Sequence, residues 1–308
     1  LVTEAPPLRP PLTATVLICS RDRPRMLAET VRSVLAGASV PRELLVVDQS
    51  ARVHEPLARL GSVRGCAVRY LHSDSSGLSR ARNIGLRAAS SEVVVLIDDD
   101  MFVEAEWLAR LLAGLPGGDP RAVATGRVLP APPEGTRGDV PAAALVTRTV
   151  PAVYRGRQPN DVVPGANVAL HRATVLALGG YDDRLGAGAR FSSADDNDIG
   201  FRLLDAGCEV RHVPEAVVLH RAWRTRRQRV RMRWDYGRGK GAFYAKHMRS
   251  SDGYMLARMR SDARVRGRRA VGSLRASPAT SLGQLVYLAG MISGATEWLV
   301  RERRQPAP

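Results

Sequence analysis

The sequence predicts an α/β fold with a doubly wound, mostly parallel sheet, followed by a basic helical region at the C-terminus. Two observations lead to this prediction. Short apolar runs alternate with amphipathic stretches through the first half of the 308 residues, a pattern typical of strand-helix-strand units. The formal net charge is +16, and residues 221–275 alone carry 18 basic and 3 acidic residues.

The first apolar run, Ala14–Cys19, predicts a buried strand. Arg25–Leu35 follows with apolar residues at near-helical spacing, and Gly37 then ends the predicted helix. Glu92–Ile97, with the sequence EVVVLI, is the clearest strand in the chain. The other predicted strands and helices of the first half are Glu43–Val47, Val68–Leu71, Leu78–Ala88 and Glu104–Leu115.

The alternation of apolar runs and amphipathic stretches is weaker between residues 116 and 164. Pro and Gly are frequent there, and only Ala122–Leu129 has a strand pattern. Regular elements return after that stretch. They are predicted at Asn167–Leu170, Arg172–Leu178, Asp196–Ala206 and Val217–His220. We therefore divide the chain into an N-terminal tail (1–13), an α/β domain (14–220) and a basic helical region (221–308).

The composition excludes several classes of protein. With 44% hydrophobic and 25% charged residues, the chain is neither disordered nor a disulfide scaffold. No run reaches the ~18 apolar residues of a membrane span. Three widely spaced cysteines predict a reducing, cytoplasmic compartment and no structural zinc site. The proline-rich start, Leu1 to Leu12, is not expected to be a signal peptide.

The strongest chemical signal is Asp98–Asp100, which directly follows the apolar strand. Because side chains alternate along a strand, Asp98 and Asp100 are predicted to point to the same side. Ligands of open α/β sheets bind beyond the carboxyl ends of the strands. Two carboxylates at that edge suit Mg²⁺ or Mn²⁺, which would in turn hold a substrate diphosphate. The alternative is an acidic turn that caps the next helix.

Polar residues also follow the first two strands: Ser20 and Asp22 after the first, and Asp48 after the second. A loop acceptor such as Asp48 could take a hydrogen bond from a nucleobase, although a turn-forming aspartate is an equally good interpretation. The sequence contains neither a P-loop nor a dinucleotide-binding glycine motif after a strand. The sequence therefore disfavours a P-loop kinase and a dinucleotide-dependent dehydrogenase.

A second acidic cluster, Asp195, Asp196 and Asp198, stands at the start of a predicted helix. Such residues interact favourably with the helix dipole, which is the structural interpretation. The functional interpretation is a general base that faces the first cluster. His220 ends the last predicted strand, where it could add a nitrogen ligand to the same metal.

Taken together, the chain resembles the inverting family 2 glycosyltransferases of GT-A type. Five segments carry the resemblance, in order and at matching spacing, across most of residues 14–220. They are TVLICSRDRP (15–24), ELLVVDQS (43–50), SGLSRARNIGL (76–86) leading to EVVVLIDDDMFVEAEWL (92–108), GANVALHR (165–172) and GGYDDRLGAGARFSSADDNDIGFRLLDAG (179–207). The resemblance implies a GT-A-like sheet with a Rossmann-like nucleotide-binding half, a nucleotide-diphosphate sugar donor and a divalent metal, Mn²⁺ or Mg²⁺.

The resemblance also implies roles for individual residues. Asp196 would be the catalytic base, and Asp195 stands where many relatives have Glu. Asp100, Asp98 and His220 would bind the metal. The implied nucleotide-sugar-binding residues are Ser20, Asp22, Asp48, Arg82, Asn83, Asp98, Asp99 and Asn167, with Asn167 lining the sugar or acceptor pocket.

Two positions depart from the family pattern. The family often has Asn where Asp22 stands, and an acidic residue that can bind uracil where Gln49 stands. The nucleotide base of the donor is therefore left open.

The basic region supports more than one interpretation. It could attract a membrane surface, a diphosphate or a nucleic acid. Nucleic acid is the least favoured of these, because the sequence has no zinc-finger spacing and no aromatic RNA-binding motif. Leu282–Val300 is a moderately apolar helix that would pack against the body or make peripheral membrane contact through residues 221–300 at the inner face of the membrane.

Two functions other than glycosyl transfer remain open at this point. One is an arginine-rich nucleic-acid-binding protein, for which the aspartate clusters would have no role. The other is a metal-dependent nucleotidyltransferase, which would normally have a glycine-rich basic loop after the first strand, where Cys19–Pro24 has no glycine. The acceptor of a glycosyltransferase could be a small molecule, a glycan or a lipid-linked compound.

Overall fold

The computed structural model describes residues 12–132, 145–222, 226–249 and 251–302. Most of the predicted tail (1–13) and the beginning of the arginine-rich segment that follows residue 222 lie outside the described residues. Among the residues that are described, no helix is both long enough and apolar enough to span a bilayer.

Ten strands of the described chain form one mixed sheet in the order β3-β4-β2-β1-β5-β9-β7-β10-β6, with β8 paired to β10. The strands are β1 (Leu12–Ser20), β2 (Pro41–Asp48), β3 (Ser62–Val63), β4 (Cys66–His72), β5 (Val93–Asp98), β6 (Met101–Val103), β7 (Ala122–Pro130), β8 (Ala152–Arg155), β9 (Val168–His171) and β10 (Glu209–His220).

The predicted α/β architecture is confirmed. β4, β2, β1 and β5 are parallel neighbours, and β7 is parallel to β10. Helices cover both faces of this sheet, because α1 (Pro24–Leu35) and α4 (Trp107–Ala113) belong to one apolar cluster and α3 (Leu78–Ala88) and α6 (Asp195–Asp205) belong to another. Two short helices, α2 (Glu55–Ala58) and α5 (Arg172–Ala177), complete this part of the chain.

Several elements differ from the predicted pattern, and one of them, β8, lies in the stretch 116–164 where only Ala122–Leu129 was expected to be a strand. β9 is antiparallel to both β5 and β7, so the sheet is less uniformly parallel than the sequence suggested. β10 is twelve residues long, rather than the four of Val217–His220, because a register shift between Val213 and Val217 accommodates its central proline. Residues 101–103 pair with β10 as β6, which delays the start of α4 from the predicted Glu104 to Trp107.

Where it is described, the predicted helical region contains three long helices, α7 (Arg226–His247), α8 (Tyr254–Gly272) and α9 (Pro278–Glu297). A π-helical turn, Trp298–Glu302, follows α9. Phe201 of α6 shares an apolar cluster with Phe243 and Tyr244 of α7. Through this cluster the C-terminal helices pack directly on the helix that carries the second acidic cluster.

Glycines allow α7 and α9 to pack at very close range. A Cβ atom at Gly237 or Gly241 of α7 would overlap the backbone carbonyl oxygens of Tyr287 and Met291 in α9. The relationship is reciprocal, since a Cβ at Gly294 would overlap the carbonyl oxygen of Arg238. Glycine in this contact is therefore a packing requirement, although it weakens an isolated helix.

We predict that Gly241→Ala lowers the free energy of unfolding by about 1–3 kcal/mol, because the added methyl group must push two helix backbones apart. Gly267→Ala in α8 is the matched control, since nothing lies within 4 Å of its Cβ position. That control should gain up to about 1 kcal/mol from better helix propensity. Urea unfolding measures both changes, and equal effects of the two substitutions would contradict the packing argument.

Candidate active site

A cleft of about 1190 Å³ opens at the edge where the parallel strands end. Its described lining comes from the ends of β1, β5 and β10, from the loop before β9, from the start of α6, and from α7 and α8. Location beyond the carboxyl ends of strands is the usual ligand position in an open α/β sheet. The volume is sufficient for a ligand the size of a nucleotide and a second substrate.

The first acidic cluster lies beside His220. Asp98 ends β5, and the chain then turns at Asp99 and Asp100 into β6. The pairing of β6 with β10 brings His220 Nε2 to 3.3 Å from Asp100 Oδ1. Asp99 is held by different partners, since it accepts hydrogen bonds of 2.6 Å from Ser20 Oγ and from Arg23 Nη1.

This cluster concentrates negative charge in a poorly solvated place. Burial raises the pKa of Asp98, and the nearby Asp100 adds to the rise, while Arg82 opposes both. Burial likewise raises the pKa of Asp99 to about 7, against the opposing charge of Arg23. A bound cation would relieve this repulsion and favour the ionised carboxylates.

The residues fit a divalent ion that is shared with a substrate. Asp98, Asp100 and His220 supply carboxylate oxygens and an imidazole nitrogen, which suit Mn²⁺ or Mg²⁺. Within the described ranges, no group of three or more His, Cys, Asp or Glu side chains could hold an ion by itself. Mg²⁺ is commonly bound by one or two carboxylates together with substrate phosphates, and that arrangement agrees with this donor set.

Arg82 links the two acidic clusters. It projects from α3 and forms an ion pair with Asp195, while its Nη2 lies 3.4 Å from Asp98 Oδ1. The same nitrogen donates to the carbonyl oxygen of Gly165, and the guanidinium lies 5.2 Å from the ring centre of Tyr181. Burial alone would lower the pKa of Arg82, but Asp195 and the other anions raise it, so the side chain stays charged.

The second acidic cluster has three different environments. Asp195 is held by Arg82, and Asp196 lines the cleft. Asp198 is fully buried, with Lys246, His247 and Arg202 each at 2.7 Å. These three partners outweigh burial and hold the pKa of Asp198 well below its usual range. Asp198 therefore fastens α7 to α6, while Asp195 and Asp196 both line the cleft.

The environment of Asp196 suits proton transfer near neutral pH. Burial raises its pKa to about 7, and the charges of Asp195 and Asp161 act in the same direction. Lys240 of α7 opposes them. The Lys240 ammonium pairs with Asp161 and donates to Asn197 Oδ1 at 3.0 Å. A general base is most effective when its pKa lies near the working pH.

The residues predicted at the first two strand ends divide into two groups. Ser20 and Asp22 line the cleft, with Asp22 on its exposed rim. Asp48 is buried behind that rim, where it accepts hydrogen bonds from Tyr70 Oη at 2.6 Å and from the Ser50 amide at 2.9 Å. Asp48 thus shapes the loop that places Gln49 in the cleft.

Asn83 is occupied by structural hydrogen bonds. Its amide group exchanges two hydrogen bonds of 2.8 Å with the backbone of Tyr181 and donates a third to Asp183. These bonds attach a glycine-rich loop, residues 179–188, to α3. The implied role of the Arg82/Asn83 pair toward the nucleoside stays a prediction, while its structural role is visible.

The position implied for Asn167 needs correction, because this side chain is fully buried and not in a sugar or acceptor pocket. Its Oδ1 accepts a hydrogen bond of 2.7 Å from Trp107 Nε1, and its Nδ2 donates to the carbonyl oxygens of Arg127 and Ala216. The backbone takes a left-handed φ of 61° there. Asn167 therefore joins α4 to β7 and β10.

Sequence reasoning missed the contribution of the C-terminal helices to the cleft. Lys240 and Tyr244 of α7 and Arg258 of α8 line it, and Arg258 Nη2 lies 2.6 Å from Asp161. One signal was available. Lys240 and Lys246 are the only lysines of an arginine-rich chain, and each pairs with a carboxylate.

Comparison with known proteins finds a family whose sequence model matches this chain. The model of the family described as Glycosyl transferase family 2 matches residues 15–161. The chain is 27% identical over 216 residues to the pre-mycofactocin glycosyltransferase of Mycobacterium tuberculosis, covering 67% of this chain and 42% of that protein. The chain therefore spans less than half the length of that relative.

Two further similarities extend over more of the compared proteins. The glucosyl-dolichyl phosphate glucuronosyltransferase of Haloferax volcanii is 26% identical over 227 residues, which are 70% of this chain and 71% of that protein. The solved mannosyltransferase of Pyrobaculum calidifontis, in complex with GDP-Man and Mn²⁺, matches at a TM-score of 0.59 and 17% identity, covering 96% of this chain and 89% of that one. The structural similarity shows that the fold is of GT-A type.

We predict that Lys240→Met raises the pKa of Asp196 above about 7, because the ammonium group favours the ionised carboxylate and its loss favours the protonated form. Carbon-13 NMR titration of the side-chain carboxyl groups measures this value directly. Lys246→Met is the matched control, since Lys246 contacts Asp182 and Asp198 instead. An unchanged or lower titration midpoint for Asp196 in Lys240→Met would show that Lys240 does not stabilise the ionised Asp196 carboxylate.

Proposed function

We propose that this chain moves a sugar from a nucleotide-diphosphate donor to an acceptor hydroxyl with inversion. The premise is that the chain is a family 2 glycosyltransferase with the GT-A fold. One observation carries the proposal. Asp100 and Asp196 come from opposite halves of the sequence, yet both line the same cleft. One cluster can then serve the diphosphate while the other serves the acceptor.

The donor side of the proposal rests on the first acidic cluster. Asp98, Asp100 and His220 would hold Mn²⁺ or Mg²⁺, and the mannosyltransferase that shares the fold binds GDP-Man and Mn²⁺. When bound, such an ion stabilises the negative charge that develops on a departing diphosphate. Ser20, Asp22 and Asp99 line the same part of the cleft and would contact the donor.

The acceptor side rests on Asp196. Its carboxylate takes the proton of the acceptor hydroxyl as that oxygen bonds to the anomeric carbon and the bond from this carbon to the diphosphate oxygen breaks. Attack from the face opposite the leaving group inverts the anomeric configuration. The pKa of about 7 leaves much of Asp196 ionised at neutral pH and able to accept that proton.

Asp195 acts as a positioning residue in this proposal. Its carboxylate is engaged by Arg82, so it is not available to take the acceptor proton. It fixes the first turn of α6 and adds negative charge beside Asp196, which keeps the affinity of Asp196 for a proton high. The acceptor itself is left as a small molecule, a glycan or a lipid-linked compound.

We predict that Asp196→Asn lowers sugar transfer by about 10²–10⁴-fold, because the amide cannot accept the proton, while donor binding persists. Asp100→Ala should instead abolish the metal-dependent part of donor binding. A thermal-shift panel of UDP-, GDP- and dTDP-sugars with and without Mn²⁺ measures binding. Release of nucleoside diphosphate from the donor that binds measures turnover.

Asp205→Asn, at the other end of the same helix, is the control for the Asp196 substitution, because Asp205 pairs with Arg157 away from the cleft. It should keep both binding and turnover. Near-normal turnover of Asp196→Asn would refute the base assignment. An unchanged Mn²⁺-dependent shift in Asp100→Ala would refute the metal assignment.

A further inference from the structure

Helix α9 is apolar on two opposite faces, although only one of them is covered by protein. The covered face carries small residues, including Gly290 and Gly294, that pack against α7. The outward face carries large apolar residues at helical spacing, which are Leu282, Leu285, Ile292 and, in the following turn, Leu299. A helix that is apolar all round is normally buried on all sides.

The exposed apolar surface continues at both ends of α9. Val271, in the last turn of α8, and Leu274, in the connection to α9, are 77% and 60% exposed, and Val300, in the turn after α9, is 60% exposed. Single exposed apolar side chains are common, but a continuous row is not. Twenty helical residues extend about 30 Å, so this row is long enough to be a contact surface.

Arginines flank the row. Helix α8 packs beside α9, and Ser281 Oγ donates to the Ala270 carbonyl oxygen at 2.8 Å where the two helices meet. The exposed arginines of α8 and of the connection are Arg260, Arg264, Arg268, Arg269 and Arg275. The acidic residues of the segment are engaged elsewhere, since Asp262 pairs with Arg266 and Glu297 pairs with Arg238.

An apolar row flanked by arginines favours some binding partners over others. A second copy of the chain, related by a two-fold axis, would bring the same arginines face to face, and like charges would oppose the contact. An anionic bilayer instead offers an apolar interior to the leucines and phosphate headgroups to the arginines. Exposed apolar residues beside basic ones are the features of helices that lie in the membrane interface.

We propose that the outer face of α9, together with the exposed arginines of α8, docks this protein on an anionic lipid surface, with α9 lying in the interfacial plane. The docking face is defined as Val271, Leu274, Leu282, Leu285, Ile292, Leu299 and Val300 with Arg260, Arg264, Arg268 and Arg275, because the fifth exposed arginine, Arg269, lines the cleft. On another side, α8 lines the cleft through Arg258 and Arg266, so docking brings the cleft close to the headgroups.

Vesicle flotation of the full chain, without donor or metal, tests this inference independently of the proposed catalysis. The chain should float with phosphatidylcholine vesicles that contain phosphatidylglycerol. It should float much less with phosphatidylcholine alone, and high salt should release it. Leu285→Ser/Ile292→Ser should weaken binding at least about tenfold, because two apolar anchors are lost. Arg264→Gln/Arg268→Gln should weaken it by a similar factor.

Matched controls are available on the α/β domain. Val150→Ser/Val153→Ser removes two equally exposed apolar side chains, and Arg52→Gln/Arg87→Gln removes two exposed charges. Both controls should bind vesicles like the original chain. Unfolding midpoints of all four double variants show whether each remains folded.

Three outcomes would overturn the proposal. The first is equal flotation with and without the anionic lipid. The second is unchanged flotation of the two docking-face variants while they remain folded. The third is a dimer in light scattering that Leu285→Ser/Ile292→Ser converts to a monomer, since that result would assign the face to a second copy of the chain.

Discussion

The buried guanidinium of Arg82 is the interaction on which the rest of the site depends. It lies between Asp98 of the first acidic cluster and Asp195 of the second, and it also binds the carbonyl oxygen of Gly165. Removing one partner of a buried ion pair commonly costs about 3–5 kcal/mol, because the remaining charge loses its compensation. Here the loss would affect two carboxylates at once. The same contact therefore stabilises the fold and fixes the relative position of the two halves of the cleft.

The C-terminal helices complete this arrangement from the other side. Asp198 forms ion pairs with Lys246 and His247 of α7. Asp161 forms ion pairs with Lys240 of α7 and Arg258 of α8. The first group fastens the helices to α6. The second group sets the charge around Asp196, the residue proposed to take the acceptor proton. The basic region thus belongs to the cleft on one side, and its outward face is the surface proposed to meet lipid.

Much of this could be predicted from the sequence, because it depends on local patterns. The apolar runs located β1, β2 and β5, and the rule that parallel strands end at one edge of a sheet placed Asp98 and Asp100 at the edge where the cleft opens. Other features depend on contacts between distant segments. The residue type of Asn167 fits the family pattern. Only the packing of α4 against β7 and β10 shows that its side-chain amide is fully engaged in structural hydrogen bonds. Lys240 is conspicuous as one of two lysines, but the sequence could not indicate its partner, because Asp161 lies 79 positions away.

Two acidic clusters are proposed to serve the donor and the acceptor of one reaction from opposite sides of a single cleft. Crystals of the full chain grown with Mn²⁺ and a nucleoside diphosphate test this proposal most directly, since the anomalous scattering of manganese locates the ion. We expect an anomalous peak beside the Asp100 carboxylate, with the diphosphate in the same cleft and Asp196 facing the space beyond it. A manganese ion bound away from Asp100, or a diphosphate separated from Asp196 by protein, would contradict it.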